Sequence, residues 1–445
     1  MRFLFDSVFA ISPAERRNVV LTFCYAFSTA GAYVVGRSAA DSLFLARAGT
    51  AWLPLMYFLS ACTIGLLAVA FLHFATGRSL KQVILVTLLL LSSSSIVLCQ
   101  LVQAFDHAMV LLVGIYLLAE IRGCLNTIQY GILMNELFAG SPDHHHAAGL
   151  LGAAATLAGI TFGAVVGFEV YQLGTVHLLY VVAGLEALAI IPIGRLPRSE
   201  TANRHADGSE ADAKLAALPF EANAPVDFTS GLTTATRSPY VRSIAILVAI
   251  TVMVGTLIEF QWKSSVADSF ATKEDQMTSF FGLFHAAVNV VTGLIQVLLT
   301  GRLLHRFGTR TALLVFPTTL LASTLGVLFA SFDRVVLSAI TLAKGCDFVK
   351  RSINDPAILM LYAPLYNGPR RQAITFVAGI IKPSAEAFAA LLIISFAGIF
   401  STRAISYVAL VLICVWIIVA WRHRTNNMNR VTPSSDRITE QGQPS

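Results

Sequence analysis

The chain has 445 residues, 56% hydrophobic and 13% charged, with a net charge of +6. About 25% charge is usual for a soluble domain, so a water-soluble globular enzyme of this length is excluded. The basic residues sit in short loops between apolar runs, a topology signal that excludes a nucleic-acid-binding face. The six cysteines are scattered without metal-ligand spacing.

Apolar runs of about 20 residues are long enough to cross a bilayer as helices. Twelve are predicted, which makes the fold class an all-α integral membrane protein. Before the first, Phe3 to Phe9 is apolar enough for a short interfacial helix. The first run, 18–38, lacks a small-residue cleavage site and is read as a retained helix. Runs two to six lie near 51–75, 81–104, 108–136, 147–173 and 176–195. The polar segment 196–239 reads as a linker. Runs seven to twelve lie near 240–262, 278–302, 309–330, 335–362, 371–396 and 402–421, before a polar tail. The expected organisation is a six-helix bundle at 1–195, a cytoplasmic linker at 196–239, a second bundle at 240–421 and a disordered tail at 422–445.

Arg16, Arg17, Arg78, Lys81, Arg195, Arg237, Arg302, Arg422 and their neighbours crowd one set of loops. The other set carries little more than Arg47, Lys273, Arg334 and Arg403. The positive-inside rule then places both termini and the linker in the cytoplasm. A bacterial inner membrane is the expected location.

Charged residues within these runs are costly unless they face partners or a wet cavity. Asp41, Glu120, Pro142 and Gly152 have counterparts Asp268, Asp347, Pro369 and Gly379 at the same step of 227 positions. Two similar halves around one polar path are expected from this repeat. Arg37 and Asp41 share a helix face at i,i+4 near the outer end of run one. Glu259 and Lys263 do the same at the end of run seven. With Asp268 and Asp355, these are candidates for gating ion pairs. Arg122, Lys350 and Lys382 lie deeper and need anionic partners, either Glu120, Asp347 and Glu386 or a bound anion. With Asn126, they are the candidate lining of a transport cavity. Interhelical pairing alone is the competing reading. On a helix, Lys350 and Arg351 point about 100° apart, so only one is expected to face the axis squarely.

Gly149, Gly152, Gly159, Gly163 and Gly167 form a small-residue stripe suited to close helix packing. Pro356 and Pro383 interrupt helical runs and favour kinks. His144 to His146 read as a basic inner-loop segment, with no metal expected. No enzyme motif, cofactor site or ATPase domain is present in the reading.

Gly301-Arg-Leu-Leu-His-Arg-Phe-Gly-Thr-Arg310 resembles the cytoplasmic loop signature of the major facilitator superfamily at Gly301, Arg306, Gly308 and Arg310. His305 stands where that family has Asp. The stretch Lys344 to Leu365 is similar to the tenth span of the non-mitochondrial (TLC-type) ATP/ADP translocases. Lys350, Asp355, Pro356, Tyr362, Pro364 and Leu365 fit that pattern. Arg370 to Lys382 resembles its basic continuation, and Glu120 with Asn135-Glu136 its fourth span. The chain departs from the exchangers at Ile358, Leu359 and Thr375, as a divergent free-living-bacterial relative would. The resemblance implies two six-helix bundles and alternating access. It implies a small anionic cargo, ATP, ADP or another phosphorylated metabolite, carried by a monomer in the lipid bilayer. A proton-coupled carrier of another metabolite or drug is the alternative, and a non-transporting receptor with a carrier fold is a further one.

Overall fold

A computed structural model describes residues 13–75, 78–105, 108–138, 144–196, 238–270, 273–329, 333–362, 373–374, 376–397 and 404–426. The interfacial segment, most of the linker and the tail after Asn426 lie outside these residues, and 422–426, expected to be disordered, continue the last helix. The N-terminal helices are α1 Pro13–Arg47, α2 Leu53–Ala75, α3 Leu80–Ala104, α4 Met109–Phe138, α5 His144–Leu173 and α6 Leu178–Arg195. The second set is α7 Pro239–Phe270, α8 Glu274–Ile295, α9 Gly301–Phe329, a broken α10, α11 Lys382–Ala397 and α12 Ile405–Asn426. Eleven of the described helices are long and apolar enough to cross a membrane.

The tenth predicted run lacks that continuity. Helix α10 consists of Asp333–Gly345, a turn at Cys346, Asp347–Val349, a π segment Lys350–Asn354 and Asp355–Leu361. Its π segment closes with the Asp355 amide donating to the Lys350 carbonyl, immediately before Pro356. A π segment Val377–Ile381 leads into α11 the same way, with the Lys382 amide bonded to Val377 just before Pro383. Proline has no N–H and crowds the carbonyl four residues back. A wider i→i+5 turn relieves that crowding, and such turns are frequent at functional sites.

Two expectations are corrected by helix ends. Segment Gly301–Arg310 is not a loop but the first part of α9. Its Arg and Leu residues are good helix formers, and two glycines cost only about 1 kcal/mol each. Helices α1 and α7 overrun their predicted ends to Arg47 and Phe270. Arg37 therefore sits ten residues, about 15 Å, inside α1 rather than at its mouth.

The two halves meet at the Arg47 end. Helix α5 lies along α8, and α2 lies against α11. The glycine stripe makes the first contact possible. A Cβ on Gly163 would lie 2.7 Å from the Ala286 nitrogen and the Gly282 carbonyl. Gly159 and Gly167 similarly face Asn289 and Leu283, whereas Gly152 faces open space. Gly174 ends α5 at φ +79°, its amide donating to the Val170 carbonyl. Thr175 then meets Asp275 of the other half through its amide, 2.9 Å, and its hydroxyl, 2.7 Å. Overpacking costs about 1–3 kcal/mol. We therefore expect Gly163→Val to lower thermal stability by about that much, read as a lower melting temperature in detergent.

Candidate functional site

Seven helices converge on a cavity of about 280 Å³, close to the lower end of the ~300–1,000 Å³ range of ligand sites. Helix α1 contributes Tyr33, Arg37 and Asp41, which recur every four residues on one face. Helices α2 and α4 contribute Tyr57 and Glu120. Helix α7 contributes Thr256, Glu259 and Trp262, and α8 contributes Phe284, His285 and Val288. Broken α10 supplies Lys344, Asp347, Lys350, Arg351 and Asp355, and α11 supplies Glu386.

At the Arg47 side the charges are paired. Glu259 accepts from Arg37 at 3.0 Å, Lys263 at 2.8 Å and Lys344 at 3.5 Å. Asp41 takes Arg37 at 3.2 Å and Lys263 at 3.0 Å. Glu120 also pairs with Arg37. The Tyr116 hydroxyl lies 3.2 Å from Lys263, and both cations stand over its ring. Arg37 to Glu259 and Asp41 to Lys263 are both separated by 222 positions. Corresponding turns of α1 and α7 thus carry opposite charge pairs that neutralise one another across the halves. Arg47 adds a peripheral pair with Glu274 at 2.9 Å. The expected gating pairs of Arg37, Asp41, Glu259 and Lys263 are brought together, although as a buried cluster spanning both halves.

Asp268 does not join them. It is solvent-exposed, so the 227-residue repeat does not relate it to Asp41 in place. The step of 227 does bring Glu120 and Asp347 to one cavity.

Away from the paired cluster, Lys350 and Arg351 line the cavity with no carboxylate within ion-pair distance among the described residues. Both contribute to the lining, at the start of the π segment. Asp355 and Glu386 are likewise without ion-pair partners there. The charged groups around Glu386 are Glu120, Glu259, Arg37 and Lys263. The Trp262 ring lies 4.3 Å, centroid to centroid, from Phe284 at an interplanar angle of 40°, giving the cavity an aromatic wall.

Three expected cavity residues are placed elsewhere. Arg122 is 2% exposed and sealed within the first bundle, with Nε 2.5 Å from Glu186 and Nη2 2.8 Å from Ser95. Its partner on α6 is distant in sequence and was not foreseen. Gly36 admits the guanidinium, since a Cβ there would stand 2.8 Å from Nη1. Asn126 donates to the Thr29 carbonyl at 3.0 Å, tying α4 to α1. Lys382 opens α11 outside the lining, with Asp355 and Lys350 as its charged neighbours. The side chains of Gly301 to Arg310, Asn135, Glu136 and His144 to His146 lie outside the described residues. So do residues 363–372, with Pro364, Leu365, Arg370 and Arg371, and Thr375.

Lys344, His285 and the aromatic residues were missed, and Arg351 was named only as the alternative to Lys350. The i,i+3 spacing of Lys344 and Asp347, an ion pair of 2.7 Å, was the available signal for the first. Replacing a buried ion pair by apolar residues is often neutral or stabilising, whereas removing one partner costs about 3–5 kcal/mol. The double variant Arg122→Leu with Glu186→Leu should therefore melt no lower than wild type and keep its ligand response. Arg122→Leu alone should melt well below it.

A family model described as TLC ATP/ADP transporter matches residues 218–346. The match spans α7 to α9 and the start of α10, and stops before Lys350. No curated protein matches the sequence. Solved structures share the fold, among them the following three. A mutant of the nucleoside transporter NupG aligns at TM-score 0.65 and 12% identity, over 91% of this chain and 99% of that one. A bacterial homologue of the iron transporter ferroportin, inward-facing, aligns at 0.63 and 11%, over 93% and 100%. The human organic anion transporter MFSD10 aligns at 0.61 and 14%, over 92% and 100%.

Proposed function

We propose that this multi-pass membrane transporter, which has the major facilitator fold and resembles the TLC ATP/ADP transporters, is a secondary carrier of a nucleotide or another phosphorylated anion. The observation that carries the cargo reading is the pair Lys350 and Arg351, cations lining the cavity with no carboxylate within ion-pair distance among the described residues. Guanidinium and ammonium groups match phosphate oxygens, Arg in bidentate fashion. Trp262 and Phe284 supply an aromatic wall against which a ring can pack. The expectation of a general surplus of deep cations is not part of the support, since Arg37, Lys263, Lys344 and Arg122 are all paired.

In this reading the bundles at 1–195 and 240–421 rock about the cavity. The protein is a carrier and not an enzyme, a monomer in a bacterial inner membrane with both termini cytoplasmic. The Arg47 end then faces outward, and the ion cluster at Glu259 is the closed outer gate. The matching charge pairs at a step of 222 support a two-fold relation between α1 and α7.

A second reading rests on Asp355 and Glu386, which line the same cavity with no cation within ion-pair distance among the described residues. Membrane carboxylates of this kind mark proton pathways, and a proton-coupled carrier of another metabolite would use them. Purified protein in liposomes separates the two. Saturable uptake of labelled ADP or ATP, competed by unlabelled nucleotide, is the expected result. If no labelled nucleotide or phosphate ester moves, while another solute enters only under a proton gradient, the cargo reading fails and the second stands.

A further inference from the structure

Lys344 is the penultimate residue of the first segment of α10, just before the break at Cys346, whose amide is shared between the Leu342 and Ala343 carbonyls. Its ammonium bridges that break to Asp347 at 2.7 Å. The same ammonium reaches Glu259, the hub of the gate, at 3.5 Å. A second polar contact between α10 and α7, from the Tyr240 hydroxyl to the Leu361 carbonyl at 2.7 Å, lies at the far end of both helices. Lys344 is thus a polar connection between the broken helix and the gate. It is also the most distant of the three cations on Glu259, since Arg37 and Lys263 lie at 3.0 and 2.8 Å.

We propose that Lys344 is the positioning residue that couples cargo to the gate. This inference rests on the phosphorylated-anion reading. An anion seated on Lys350 and Arg351 lies just beyond Asp347 on the same helix and competes with Glu259 for the ammonium. The longest contact yields first. Lys344 follows the anion and the segment carrying Asp347, and the gate loses one of the three cations on its hub. A ligand shifts a conformational equilibrium only through such a difference in contacts between the two states.

The test uses the full chain with its six cysteines replaced by serine and spin labels at Trp52→Cys and Lys273→Cys, both exposed at the Arg47 end. ADP is the probe. The wild-type background should show an ADP-dependent change in the label-to-label distance distribution and a raised melting temperature. Lys344→Gln should keep the melting shift at saturating ADP and lose the distance change. Lys344→Arg should recover it. A full distance change in Lys344→Gln overturns the inference, and so does loss of its melting shift, which makes Lys344 only a binding residue. Absence of any melting shift in the wild-type background with ADP, ATP and inorganic phosphate instead overturns the cargo reading beneath it.

Discussion

Replacing Lys350 and Arg351 together by alanine is expected to reduce uptake of a phosphorylated cargo by about a hundred- to ten-thousand-fold. Hydrogen bonds to charged groups are each worth about 1.5–3 kcal/mol, and both cations are free to make them. The loss should be one of function and not of folding, because no ion pair among the described residues depends on either side chain. Arg351 is exposed to the cavity and Lys350 half-buried. The double variant should therefore melt close to wild type without ligand. Arg351→Lys should recover part of the uptake, since an ammonium keeps the charge and loses the bidentate geometry. Labelled ADP uptake into liposomes, alongside melting curves, reads both halves of this expectation.

The second large effect is at Glu259. Glu259→Gln leaves Arg37, Lys263 and Lys344 gathered around a neutral amide, with Asp41, Glu120 and Asp347 still present. Removing one partner of a buried pair costs about 3–5 kcal/mol. That cost falls on the state in which the two halves meet at the Arg47 end. The equilibrium should shift toward separation there by a hundredfold or more, about 1.4 kcal/mol per tenfold. A cysteine at Thr256, which lines the cavity, should then react faster with an impermeant thiol reagent from that side. Reversing the cross pair, with Arg37→Glu and Glu259→Arg in one chain, should restore slow labelling better than either change alone. Equal labelling rates in wild type and Glu259→Gln would remove the gate from the account.

Much of the fold was legible because bilayer spans are local. A run of some 20 apolar residues needs no distant partner to be recognised, and eleven of the twelve expected spans match long described helices. The exceptions share a cause. Helices α1 and α7 looked shorter because Arg37, Asp41, Glu259 and Lys263 seemed to belong at an interface. Their charges are tolerated deep in the helices only because each finds a partner in the opposite half, 222 residues away. Arg122 was misplaced for the same reason, since Glu186 lies 64 residues on. Asp268 copied the spacing of Asp41 without its neighbours. The break in α10 was foreshadowed by Pro356, but the π segment that begins at Lys350 and Arg351 was not. Its register depends on where the helix absorbs an extra residue, which a regular periodicity does not encode.

The central claim is that a phosphorylated anion binds at Lys350 and Arg351 in a cavity closed at one end by the Glu259 cluster. Its most direct measurement is the melting temperature of the purified protein titrated with ADP, ATP and inorganic phosphate. A ligand that binds the folded state raises stability by mass action, about 2.7 kcal/mol at a hundred times its dissociation constant. The account predicts a saturable rise with at least one of these anions in the wild type, and none in the Lys350→Ala, Arg351→Ala double variant. A flat response of the wild type, or an equal rise in the double variant, would contradict it.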